Sequence, residues 1–222
     1  KVEEILPKMY FSVSIGTNYF MEIAKLRALR FLWRRIANQW TQEVPYTPIH
    51  AFTSTFYDAA LTPNTNMLRA TTEAMSAVVG GGDLLSVHAY DFVFQTPDDF
   101  SERIARNISL LLKEESYLGK TSDPAAGSYY IENLTAQLVE KAWGLFLEVE
   151  SKGGVMAAFE QNFIQEQIEN TFQKRLAALQ SNERIMVGVN KFQFDQATIA
   201  KDAPSNEAAL LNPRRLAAIF EK

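Results

Sequence analysis

The 222 residues contain no cysteine, which excludes disulfides and thiolate metal sites. Histidine is nearly absent too, with 2 in the whole chain. No apolar run approaches the ~20 residues that span a bilayer. The opening Lys1-Val2-Glu3-Glu4-Ile5-Leu6-Pro7 has neither an initiating Met nor the apolar stretch of a signal peptide. Neither charge sign dominates, since 22 Lys+Arg against 26 Asp+Glu leave a formal net charge of -4. That balance gives no support to phosphate-backbone binding, which needs clustered cations. Gly-x-Ser-x-Gly and His-Glu-x-x-His are both missing. The expectation is a cytoplasmic chain with no nucleic-acid or membrane partner, and a piece of something longer.

What is present reads as a globular α/β protein, with 47% hydrophobic and 22% charged residues. Met9–Ile15 is short and rich in β-branched and aromatic residues, the signature of a strand, and Gly16 closes it. A long helix follows, with Thr17 or Asn18 as cap and Tyr19, Ile23, Leu26, Leu29, Trp33, Ile36 and Trp40 at helical spacing. Lys25, Arg30, Arg34 and Arg35 make a basic stripe on it, read as a solvated face or a phosphate or partner contact. Pro48–Ser54 is a second strand, Pro63-Asn64 a turn, and about 66–79 a second helix that stops at Gly80-Gly81-Gly82. Those glycines follow a helix and open a strand, the reverse of a phosphate loop. Leu84–Ala89 is a third strand. Thr96-Pro97-Asp98-Asp99 starts a helix with Thr96 as cap and Phe100, Ile104, Ile108 and Leu111 as its buried face. Leu118–Asp123 is a weaker fourth strand, followed by a helix over about 132–151 with Leu134, Leu138, Ala142, Leu145 and Val149 on one side.

Four strand–helix units argue for parallel strands joined by crossover helices. The expected architecture is part of a TIM-type (β/α)8 barrel over 1–154. A helical extension and linker tail over 155–222 completes it, with helices at about 155–161 and 163–179, a strand-like run Ile185–Val189 and a last short helix near 214–220.

In a parallel barrel the site lies at the C-terminal ends of the strands. Thr53, Ser54, His88 and Asp91 are then candidate mouth residues, with Asp123 a weaker one. His50 sits earlier in its strand and reads as a structural hydrogen-bonder. His88 stays open between a structural and a site-lining role. Two histidines without a carboxylate at ligand spacing make a poor metal site. Glu114-Glu115 is no acid/base pair, because neighbours on a helix point about 100° apart.

Several stretches resemble the coenzyme-B12-dependent acyl-CoA mutases, specifically the methylmalonyl-CoA mutase family. They are Gly16–Ala28, Arg103-Ile104-Ala105-Arg106-Asn107 with Glu114-Glu115-Ser116, and Asp123–Tyr130. Glu148-Val149-Glu150 with Gly153-Gly154, and Val187–Lys191, complete the set. They fall in family order over about residues 10–195. The departures from the family pattern concern its polar site. The resemblance puts a substrate-contacting His at Ser86, an Arg at Pro48 and a Gln at Phe52. It therefore implies no catalytic residue here, and at most vestigial substrate contacts from Thr53, Ser54, Ser86 and His88. The family's cobalt-ligating Asp-x-His-x-x-Gly is not matched, since Pro48 and Ser86 precede the two histidines.

The pattern is similar to the non-catalytic small subunit of the heterodimeric bacterial enzymes. That implies a catalytic large subunit as partner and adenosylcobalamin held by that partner. The complex would interconvert methylmalonyl-CoA and succinyl-CoA. The alternative reading is a barrel enzyme, or an acyl-CoA-binding module, acting alone through a His88/Ser86/Thr53 mouth. Because a full barrel takes about 250 residues, the chain is expected to hold about half of one, with strand edges left for another segment or copy to cover.

Overall fold

The computed structural model describes residues 2–193 and 214–221. Its sheet has three parallel strands in the order β1-β2-β3: β1 (Phe11–Ile15), β2 (Ile49–Thr53) and β3 (Leu84–Ser86). Register pairs Ser12 with His50, Ile15 with Thr53, and Phe52 with Ser86. Successive side chains alternate between faces. Ile15, Ile49 and Ala51 therefore bury against the helices with Leu26 and Ala77, with Phe11, Val13 and Leu85 at the margin. Ser12, Ser14, His50, Phe52 and Ser86 take the opposite face, the one a closed barrel turns inward.

After a short α1 (Val2–Ile5), each strand is followed by a helix: α2 (Tyr19–Ala37), α3 (Pro63–Val79) and α4 (Asp99–Glu114). Parallel strands require such crossovers. Three helices then follow without a strand: α5 (Tyr129–Ser151), α6 (Gly154–Glu160) and α7 (Phe163–Gln180). This is the α/β class expected, a partial TIM-type barrel with a helical extension.

Several local expectations are corrected. Leu118–Asp123 is no strand: Leu118–Lys120 is a 3-10 turn, flanked by Tyr117 at φ 53 and Asp123 at φ 44. The barrel part therefore contributes three strands among the described residues. Ile185–Val189 is a turn carrying only a bridge from Val187 to Lys191. Asn190 folds it, accepting from Met186 N at 2.7 Å and donating to Leu179 O and Arg184 O, both at 2.8 Å. β3 stops at Ser86, three residues short of the expected end. Pro63 is the first turn of α3 rather than a loop residue, as its missing N–H allows. The last short helix is a 3-10 turn over Ala217–Ile219.

The cap of α4 is Asp98, not Thr96. Its carboxylate accepts from Ser101 N at 2.8 Å while Ser101 Oγ accepts from Asp98 N at 3.0 Å. The buried residues of α4 are Ser101, Ala105, Ile108 and Leu112; Ile108 is as expected, while Phe100 and Leu111 are exposed. Ala70 and Ala74 of α3 meet Ile108 and Leu112 there. Asp98→Ala is expected to lower the urea midpoint at unchanged slope.

α5 lies on the outer side of α2. Ile131 packs with Ile23 and Ala125. Arg27 reaches Asp123 at 2.5 Å and Glu132 at 2.7 Å, and Arg35 sits 3.9 Å over the Trp143 ring. Ile131 is the one buried residue of α5, and Leu145 of its expected face is exposed. The basic stripe of α2 is thus largely spent inside the protein. Lys25 bonds Ser14 O at 2.6 Å, and Arg30 bonds Asp83 and Gly81 O, both at 2.6 Å.

Candidate functional site

Every strand contributes one polar side chain to a row across the inward face. Ser12 Oγ lies 3.0 Å from His50 Nδ1, and Ser86 Oγ lies 2.8 Å from His50 Nε2. The parallel register sets Ser12 level with His50 and Ser86 one step higher, level with Phe52. Phe52, beside Ser86 on the neighbouring strand, stands 5.9 Å from both imidazoles, centroid to centroid, and His88 lies 4.8 Å from Phe92. The face thus changes from a hydroxyl–imidazole row to an aromatic one toward the strands' C-terminal ends.

Thr53 and His88 hold each other. His88 N donates to Thr53 Oγ1 at 2.9 Å, and His88 Nδ1 lies 2.7 Å from Thr53 O. A carbonyl only accepts, so Nδ1 carries a proton. His88 also lines a cleft of about 410 Å³ with Leu85, Val87, Phe92, Glu102 and Arg106. Ser54 points elsewhere: its hydroxyl caps the turn Thr55–Tyr57 by accepting from Phe56 N at 3.3 Å. Pro48 precedes β2, and its carbonyl accepts from Phe11 N at 2.9 Å.

Two candidates leave the mouth. Asp91 is fully buried, with Gln95 Nε2 donating to it at 2.7 Å, so it lines no open surface. Asp123 is bound to Arg27 between α2 and the start of α5, a structural ion pair. His50, engaged at both nitrogens, is the hydrogen-bonder its place in the strand suggested. Among the described residues no group of three or more His, Asp or Glu could hold a metal ion.

Behind β2 lies a buried polar cluster that sequence reasoning missed. Glu73 accepts from Ser54 N at 3.0 Å, and its other oxygen has no partner. Burial pushes its carboxyl up to about 9, helped by Asp58 and Glu22 and opposed by the Ser54 N–H and Arg69. Burial likewise raises Asp58 to about 7, against Arg69 and Arg215. Asn66 bonds the Ala59 backbone on both sides, accepting at 3.0 Å and donating at 2.9 Å. Arg69 reaches Asn66 Oδ1 at 2.8 Å and Val187 O at 2.6 Å. A signal existed: Asn66 and Glu73 share one helical stripe with Ala70 and Ala77, and all four are buried.

The sequence model of the methylmalonyl-CoA mutase family matches residues 1–219. The methylmalonyl-CoA mutase small subunit of Porphyromonas gingivalis is 45% identical over 196 residues, 86% of this chain and 32% of that protein. The large subunit of the same organism is 38% identical over 87% of this chain and 27% of its own length. The small subunit of Streptomyces virginiae is 38% identical over 86% of this chain and 31% of its own. The chain thus spans about a third of the length of these relatives.

Proposed function

Because the chain belongs to the methylmalonyl-CoA mutase family, we propose that it is part of a non-catalytic small subunit that pairs with a catalytic large subunit. One observation carries this reading: at the position the resemblance gives to a substrate-contacting His stands Ser86, and its hydroxyl lies 2.8 Å from His50. The flanking positions agree. Phe52 adds an aromatic ring where a polar amide is expected, and Pro48 removes the guanidinium. None of the three offers a cation or an imidazole to a thioester or carboxylate. Higher identity to a small subunit than to the large subunit of one organism, 45% against 38%, supports the same side.

Adenosylcobalamin does not fit the residues described here. His50 has both nitrogens bonded, and neither His50 nor His88 follows an Asp by two residues. In this proposal the cofactor, and the radical rearrangement it supplies, belong to the partner. The role left to this chain is to complete and support the complex in the bacterial cytoplasm.

The test uses the full-length protein. Alone with adenosylcobalamin and methylmalonyl-CoA it is expected to form no succinyl-CoA. Mixed with the matching large subunit it is expected to give an active 1:1 heterodimer by light scattering. Turnover by the isolated chain would overturn the proposal. Tight acyl-CoA binding by the chain alone would point to the binding-module reading through His88, Ser86 and Thr53.

A further inference from the structure

The loop that leaves β2 begins at Ser54, next to Thr53, whose hydroxyl holds His88 of the candidate mouth. Three of its backbone groups are met by a segment about 160 residues away in sequence. Leu216 N donates to Phe56 O at 3.0 Å. Arg215 Nη1 donates to Asp58 O at 3.3 Å. Ala60 N donates to Glu221 Oε1 at 2.6 Å. Arg215 and Glu221 also bind each other at 2.9 Å, bracing the segment from end to end.

Apolar packing fixes the same segment. Leu216 and Ala217 are buried with Ala59 of the loop and with Leu179, Met186 and Val189, and Phe56, Tyr57, Phe172 and Phe220 pack around them. Arg214 pairs with Glu169 of α7. The loop thus lies between α3, which holds Ala59 through Asn66, and residues 214–221, which hold Phe56, Asp58 and Ala60. An exposed loop of this length would ordinarily open at little cost. Here opening would expose the apolar cluster of Ala59, Leu216 and Ala217 to water.

We propose that residues 214–221 are a strap that sets the conformation of the β2–α3 loop, so that order at the rim of the mouth depends on docking of the strap. This places a conformational control point far in sequence from the strands. It stands whether or not the mouth binds acyl-CoA.

Hydrogen exchange on the full-length protein tests it without any substitution. If strap and loop open as one unit, Leu216 N–H and Ala60 N–H exchange within about threefold of each other and respond alike to low urea. Exchange of Leu216 more than about tenfold faster than Ala60 would mean that the strap detaches without freeing the loop, and would overturn the proposal. The double variant Arg215→Ala/Glu221→Ala provides the second arm. Amides of 56–60 are expected to exchange at least about tenfold faster while those of β1 and β2 stay within twofold. Unchanged loop exchange, or equal acceleration of loop and sheet, would contradict the strap.

Discussion

Raising the pH from 7 to 9 is expected to lower the stability of the folded chain by about 3 kcal/mol, and Glu73→Gln is expected to remove most of that loss. The sign follows from where the protons sit. Glu73 has an ordinary value of 4.5 and is raised to about 9 in the fold, chiefly because burial penalises the carboxylate. Between those values the unfolded chain has released the proton and the folded chain still holds it. The unfolded state binds fewer protons there, so stability falls as pH rises, by about 1.4 kcal/mol per unit for one group. Asp58, raised from 3.8 to about 7, adds a similar slope below 7 and little above it. The interval from 7 to 9 therefore isolates Glu73. Tyr19, Tyr46 and Tyr90, raised from 10.0, lie beyond it. Asp83, Asp98 and Glu169 are held below their ordinary values, so their dependence is confined to acid. Urea unfolding at pH 7 and 9 measures the difference. A flat profile in the parent protein, or an unaltered slope in the Gln variant, would show that Glu73 is ionised in the fold.

Leu26→Ala is expected to cost about 2–5 kcal/mol, and Gly80→Ala about 1–3, but the pair together less than their sum. Leu26 is fully buried between the sheet and α3, in contact with Ile15, Ile49, Ala51 and Ala77. Truncation leaves a cavity that two strands and a helix cannot readily close. Gly80 ends α3 at the same place. A Cβ there would stand 2.9 Å from Leu26 Cδ1 and 3.1 Å from Ile23 Cα. The added methyl collides with a side chain that the first substitution removes. The backbone contact to Ile23 persists, so the rescue is partial. A double-mutant cycle by urea denaturation reads the coupling. Strict additivity would mean that the α2–α3 contact relaxes around the new methyl without touching Leu26.

The α/β plan was legible because its signals are local. The β-branched and aromatic content of Met9–Ile15, and glycine stops at Gly16 and Gly80–Gly82, follow from side-chain shape and φ/ψ preference alone. Failures came where a partner decides. Ile185–Val189 has strand composition, but Asn190 satisfies the surrounding backbone and closes a turn. Leu118–Asp123 is overruled by two non-glycine residues at positive φ. Phe100 and Leu111 were read as buried, whereas Ile108 and Leu112 meet α3 and Ser101 is taken up by the cap at Asp98. At the candidate site, Thr53 and His88 were singled out from strand position and Ser86 from the family resemblance. Ser12 was not, because only register shows that it meets His50. The Glu73–Asp58 cluster was missed because the second helix was read only as a span, with no buried face assigned to it, and the strap joins residues that no local pattern connects.

The Ser12–His50–Ser86 row has one further consequence. A neutral imidazole has one proton, so the row can point only one way at a time. With the proton on Nδ1, His50 donates to Ser12 and Ser86 must turn its hydrogen toward Nε2. With the proton on Nε2, both hydroxyls rotate and Ser86 receives. A proton moving between the ring nitrogens on β2 therefore reverses the polarity of the hydroxyl that β3 presents to the interior. A second proton makes both serines acceptors and frees both hydrogens to point inward. The inner face is in effect a three-strand relay whose sense is written by the occupancy of two nitrogen atoms.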